Sequence, residues 1–374
     1  MKRKRNLYSS ITYEDIRRVY QKQIRVNTKN KIKIRKFEDF YSINLARVKR
    51  IIDDKNYIPS KYNIFLIKEP KYRIIMSQNI SDKLINHVIA EKVLLPVLDK
   101  CLIDTNVATR ISRGTHYGIR RLKKYLREMK GDVYALKFDI SKYFYNINHD
   151  ILFELLKRKI KDKDALDILF KIISSTDKDY INREINFLKS KELEKIEKMN
   201  ISDKMRDKKI NDVLNIPIYK KGKGLPIGNM TSQIMAVFYL NELDHYIKEK
   251  LHIKYFVRYM DDGVLLCDNK EYLNYCLEKI EDIVRKYDLE LNKKTKIINV
   301  RKEGLDFLGF RFILCDNKVL MKVRNITKKR FKRKVRAIKE GKIDRIKGNE
   351  IINSYQAHFK WGNCYNLLKK YLAK

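Results

Sequence analysis

The stretch "KYFVRYMDDGVLL" at residues 254–266 limits the possible fold more than any other. Apolar and aromatic residues run up to two adjacent carboxylates, Asp261 and Asp262, then a glycine, then apolar residues again. The pattern predicts strand, tight turn, strand, with both acids at the tip. Carboxylates flanked by strand are costly to bury unless a partner offsets their charge. A hard divalent cation is the natural partner, because Mg²⁺ takes oxygen ligands from one or two carboxylates and from substrate phosphates. A second alternating segment, "VYALKFDI" at 133–140, turns Tyr134, Leu136, Phe138 and Ile140 one way and Lys137 and Asp139 the other. Asp139 is therefore a candidate third ligand. Taken alone, an acidic pair before glycine fits an ordinary β-turn equally well.

The acids stand in a chain with 85 Lys and Arg against 46 Asp and Glu, a formal net charge of +39. That surplus points to a polyanionic partner, nucleic acid ahead of an anionic membrane. No run of 18 apolar residues could span a bilayer, and the basic start "MKRKRNLYSS" lacks the apolar core of a signal peptide. The five cysteines are irregularly spaced without a C-x-x-C, which predicts reduced thiols and no zinc site. Between residues 317 and 339 there is no acid, and "KKRFKRKVR" at 328–336 carries seven cations in nine positions. Phe331, Val335 and Ile338 mark an apolar stripe there. The segment reads as a helix packed on one face and laid along phosphates by Lys328, Lys329, Arg330, Arg333 and Arg336.

Elsewhere, residues 11–56 read as charged helices, and 62–78 as a hairpin turning at Glu69-Pro70. "SDKLINHVIAEKVLL" reads as a helix capped by Ser81. The mixed-charge run 184–211 reads as a solvated helical insertion without chemistry. "GLPIGNMTSQ" at 224–233 reads as a glycine turn opening a helix.

The ordered set "KFDISKYF", "GLPIGNMTSQ", "YMDD", "LELNKKTK" and "FLGF" resembles the successive palm motifs of reverse transcriptases, and the likeness runs from about residue 60 to the C-terminus. The resemblance implies an α+β right-hand polymerase: an antiparallel-sheet palm, fingers and a basic helical thumb. It divides the chain into an N-terminal helical extension (1–60), fingers (61–130), palm (131–312, with a charged insertion near 176–222) and thumb (313–374). Asp139, Asp261 and Asp262 would then hold two Mg²⁺ ions, with the Ile140 carbonyl as a further ligand and Mn²⁺ able to substitute. Lys71, Arg73, Arg110, Tyr143, Phe144, Ile227 and Gly228 would bind dNTP, Phe144 as the steric gate that excludes a ribose 2′-OH. Phe307, Leu308, Gly309 and Phe310 resemble the primer grip. Lys294 resembles the lysine that protonates pyrophosphate, with Lys293 and Lys296 as alternatives. Arg258 could touch phosphate or pair within the palm. Tyr259 and Met260 would shape the pocket beside the primer end.

Where many relatives read Gln-Gly followed by Ser-Pro, this chain reads Ile227-Gly228-Asn229-Met230-Thr231-Ser232-Gln233. That pattern, and the tail "SYQAHFKWGNCYNLL", resemble the enzymes of diversity-generating retroelements, which copy a template RNA with errors at adenines. The implied partners are template RNA, primer or cDNA, dNTPs and a small basic accessory protein, in a bacterial or phage-encoded cytoplasmic setting without a membrane. The lengthened segment between the first two palm motifs keeps a phage-defence reverse transcriptase as an alternative. A binding scaffold with a dead palm is disfavoured by the complete acidic set, and an RNA-dependent RNA polymerase by Phe144.

Overall fold

An alternating segment at 134–138 and apolar runs at 255–267 build the sheet on which the acids stand. The computed structural model describes residues 4–315 and 318–372. Met1–Arg3 of the basic start, Asn317 at the head of the acid-free run and the last two residues lie outside them. Two compact units form, each assembled from separated stretches of chain.

One unit comprises Asp104–Asp139, Tyr246–Ile280 and Asn292–Lys374. Its four-stranded antiparallel sheet contains β3 (Tyr134–Phe138), β4 (Tyr255–Tyr259), β5 (Asp262–Cys267) and β6 (Lys296–Asn299), in the order β4-β5-β3-β6. A three-stranded antiparallel sheet contains β7 (Leu305–Phe307), β8 (Phe310–Cys315) and β9 (Lys318–Val323). Helix Thr115–Glu128 contributes Ile119, Leu122 and Leu126 to a core shared with Val257, Val264, Ile298, Phe307 and Phe312. Helix Asn325–Lys339 buries Phe331 and Val335 of its predicted stripe in the same core, with Ile338 only partly buried, and exposes Lys329, Arg333 and Arg336.

The second unit comprises Met1–Ile103, Ile140–His245 and Glu281–Leu291. Helices Tyr13–Val19, Lys31–Glu38 and Tyr41–Asp53 occupy the charged N-terminal region, the first closed by a Thr12–Asp15 capping box. The expected hairpin forms from β1 (Asn63–Ile67) and β2 (Arg73–Ser77). The next helix, Ile80–Ile89, starts earlier than Ser81 predicts: Asn79 is its cap, its side chain accepting from Asp82 N at 2.7 Å. Asparagine caps as well as serine does, so the first competent residue takes the position.

The insertion also departs from expectation. Helices Asp179–Glu197 and Asp203–Leu214 are not simply solvated, because Ile181, Ile185, Ile196 and Val213 form a core with Ile64, Ile74 and Met76 of the hairpin. Glu192, only 3% exposed, pairs with Lys68 at 2.5 Å and accepts from the Tyr72 hydroxyl at 3.3 Å. The insertion thus braces the β1–β2 hairpin.

Candidate active site

β4 and β5 pair up to Tyr259↔Asp262, leaving Met260 and Asp261 as a two-residue turn. Met260 takes φ +55°, a left-handed conformation uncommon outside glycine, asparagine and aspartate. Arg258 helps hold it there: the side chain is fully buried and its guanidinium donates to the Met260 carbonyl. Of the two roles open from sequence, pairing within the unit is the one observed. The Arg258 backbone is fixed too, its N–H on the Thr105 carbonyl and its own carbonyl on Val107 N–H, both at 3.0 Å.

β3 pairs with β5 up to Phe138↔Gly263, and continuing that ladder sets Asp139 beside Asp262. Gly263 is required at this crossing. A Cβ there would lie 2.2 Å from the Phe138 ring. The Asp139 carbonyl accepts from Asn292 N–H at 2.7 Å. Ile140, next in the chain, bridges Leu291.

Burial pushes the Asp262 carboxyl up to about 7, and the charges of Asp139 and Asp261 add to the rise while Lys137 opposes it. Its Oδ1 is buried with no hydrogen-bond partner. A polar atom left so is costly, and three carboxylates at neighbouring strand ends call for positive charge. Among the described residues no three acidic, histidine or cysteine side chains are already gathered as a cation cage. The donor chemistry nevertheless fits a hard divalent ion: oxygen ligands, excess negative charge and one unsatisfied buried oxygen.

The other sequence candidates are distributed as follows. Lys293 and Lys294 are exposed on the loop before β6, while Lys296 lies in β6 within 3.8 Å of Glu303. Phe307 and Phe310 are buried, so the tip of the β7–β8 turn is Leu308 and Gly309, both with positive φ. Two left-handed residues in a two-residue hairpin loop match the right-handed twist of the strands. Arg110 Nη1 donates to the Asn106 carbonyl at 3.1 Å. On helix Asn325–Lys339, Lys329, Arg333 and Arg336 are exposed, and Lys328 and Arg330 partly so.

In the other unit, Lys71 and Arg73 are exposed on the hairpin. Met76 N–H donates to the Ile227 carbonyl at 2.8 Å, and a Cβ on Gly228 would come within 2.6 Å of the Met76 carbonyl oxygen. The glycine turn is therefore pressed backbone to backbone against β2, with Gly228 at φ +135°. Tyr143 is buried, its hydroxyl on the Ala236 carbonyl at 2.5 Å, and is positioned as packing. Phe144 is only partly buried and stands edge-on to Tyr143, leaving part of its ring available.

Residues 61–312 match the sequence profile of a family described as reverse transcriptase (RNA-dependent DNA polymerase). A putative COX1/OXI3 intron 2 protein of Saccharomyces cerevisiae is 27% identical over 47% of this chain and 23% of its own length. The group II intron-encoded protein LtrA of Lactococcus lactis is 26% identical over 54% of this chain and 28% of its own. The chain thus spans about a quarter of the length of these curated relatives. Among solved structures, a telomerase from Candida albicans in complex with a telomeric RNA fragment aligns over 72% of this chain and 46% of its own, at 16% identity and a TM-score of 0.42.

Proposed function

The chain belongs to the reverse transcriptase family, and from that premise we propose that it copies an RNA template into DNA, error-prone, for a diversity-generating retroelement. The observation that supports the chemistry is Asp262: its buried carboxyl is raised by burial and by the charges of Asp139 and Asp261, and its Oδ1 has no hydrogen-bond partner. Asp139, Asp261 and the Ile140 carbonyl would hold two divalent ions, Mg²⁺ or Mn²⁺, and Asp262 would serve as the auxiliary acid. Bound there, such ions would supply activation of a primer 3′-hydroxyl and offset charge on departing pyrophosphate. The chain's own groups do the rest. Phe144 excludes a ribose 2′-OH, Lys71, Arg73 and Arg110 bind triphosphate oxygens, and Lys294 or Lys293 returns a proton to pyrophosphate. The Leu308–Gly309 turn bears on the primer, and the basic helix follows the template–primer backbone.

Primer extension on an RNA template tests this reading. Wild type is expected to incorporate dNTPs and not NTPs, and Asp261→Ala to lose synthesis while still binding RNA. Synthesis by Asp261→Ala at wild-type rate would remove the assignment.

The diversity-generating role is supported by the residues at 227–233 and by the tail at 354–368. Ile227 offers a nascent base pair shape without hydrogen bonds, which loosens base selection. Ile227→Gln is expected to lower misincorporation opposite template adenine, and an unchanged error spectrum would count against the role. The braced insertion favours a second reading, a phage-defence enzyme with specialised priming or a repetitive DNA product. Sequencing the nucleic acid that copurifies from the native host separates the two.

A further inference from the structure

Lys137 has no part in the assignments above. It precedes Asp139 by two residues, so strand alternation turns both toward one face. Its Nζ donates to the Asp306 carbonyl at 2.8 Å and lies 3.4 Å from Asp262 Oδ2. The register explains the reach. Lys137 pairs with Val264, so Asp262 is its diagonal neighbour on β5, a spacing that a lysine spans.

The second contact leads elsewhere. Asp306 lies in β7, the strand that enters the Leu308–Gly309 turn. Its carboxylate faces Arg324 Nε at 3.4 Å, at the head of the basic helix, and Arg311 Nη1 at 3.9 Å. One ammonium group therefore ties together the strand before Asp139, the hairpin of Asp261 and Asp262, and the strand before the grip turn. A lysine that merely solvates a sheet face would point to water. This one is 26% exposed and donates to a backbone carbonyl in a different sheet.

We propose that Lys137 is a positioning residue for nucleotidyl transfer. It holds Asp262 through Oδ2, leaving Asp139 and Asp261 as the principal cation ligands, and it fixes the β7–β8 turn against the carboxylate hairpin. The inference rests on the polymerase reading of this site. It predicts two opposed effects that loss of packing alone does not give. Removing one positive charge beside three carboxylates tightens divalent-cation binding. Releasing the turn and Asp262 slows the chemical step.

Mn²⁺ binding to the full chain without nucleic acid, followed by electron paramagnetic resonance, reads the first effect, and steady-state incorporation of one dNTP on an RNA template reads the second. Lys137→Met is expected to bind Mn²⁺ about threefold or more tighter. Its kcat should fall about tenfold while KM for dNTP stays within about twofold. Lys137→Arg keeps the charge and can donate to both partners, so it should retain wild-type Mn²⁺ affinity and most of the turnover. Unchanged Mn²⁺ affinity in Lys137→Met, or turnover equal to wild type, overturns the proposal. Lys137→Gln covers the case of a poorly folded methionine variant, since it keeps a donor for the Asp306 carbonyl but no charge. The same tightening of Mn²⁺ is required there, and its absence is equally decisive. An inactive wild type that still binds Mn²⁺ would instead speak against the polymerase reading, whatever the Lys137 variants do to the affinity.

Discussion

Gly263 shows how one missing methyl group can decide a site. The carbon that alanine would add falls 2.2 Å from the Phe138 ring, and that ring is fully buried and cannot swing to solvent. Phe138 immediately precedes Asp139, and Gly263 immediately follows Asp262. The same crossing therefore sets how near the two carboxylates stand. Gly263→Ala is expected to cost about 1–3 kcal/mol through overpacking, seen as a lower melting temperature, and to abolish primer extension. Shrinking the ring in Gly263→Ala/Phe138→Leu should recover part of the stability. If the single variant melted like wild type, the close crossing would not exist in solution. Arg258 makes the complementary point. Its charge, which the sequence leaves open to phosphate or to pairing within the palm, is directed inside the protein to the carbonyl of a left-handed Met260.

At the scale of elements, local pattern and distant partners divide what the sequence discloses. The apolar runs flanking the acidic turn at 255–267, the alternating strand ending before Asp139 and the stripe of helix Asn325–Lys339 depend on local sequence pattern, which any reader of the sequence can count. Lys137 was legible as sharing a face with Asp139, but not its bond to Asp306, because that partner lies far along the chain. The insertion reads as solvated in the sequence for the same reason. Glu192 becomes a buried anchor only when Tyr72, 120 residues earlier, folds against it. Helix Ile80–Ile89 carries another long-range dependence in His87, whose Nδ1 meets Gln23 Oε1 at 2.8 Å. Burial, reinforced by Lys83 and opposed by Glu91, pushes His87 down to about 4. The unfolded chain takes up this proton near pH 6.5 and the folded one only near 4, so stability is full above 6.5 and is lost as pH falls toward 4. Between pH 7 and 5 this one group should remove roughly 2 kcal/mol. His87→Gln should flatten that part of the stability–pH curve, measured by denaturant unfolding. A slope unchanged by the substitution would assign the acid lability to other groups.

At the scale of the molecule, the formal charge of +39 exceeds what a soluble fold needs, and the fold does not explain it. A polyanion does, and the argument can be made quantitative where the cations are ordered. Lys329, Arg333 and Arg336 fall at i, i+4 and i+7 on helix Asn325–Lys339, a single stripe opposite buried Phe331 and Val335. A stripe of that spacing can follow a phosphate backbone, whereas scattered lysines such as those of the N-terminal helices would meet it only diffusely. Each phosphate contact releases counterions, so log K falls with log salt by roughly 0.7–0.9 per contact. Lys329→Ala/Arg336→Ala should therefore weaken template–primer binding at low salt and make the salt slope shallower by about 1.5. Replacing Lys29 and Lys31, which are exposed and outside this stripe, should change the slope by less. Fluorescence anisotropy across a salt series measures both. Equal changes in the two double variants would mean that binding reads total charge alone, and that the basic helix has no privileged place along the nucleic acid.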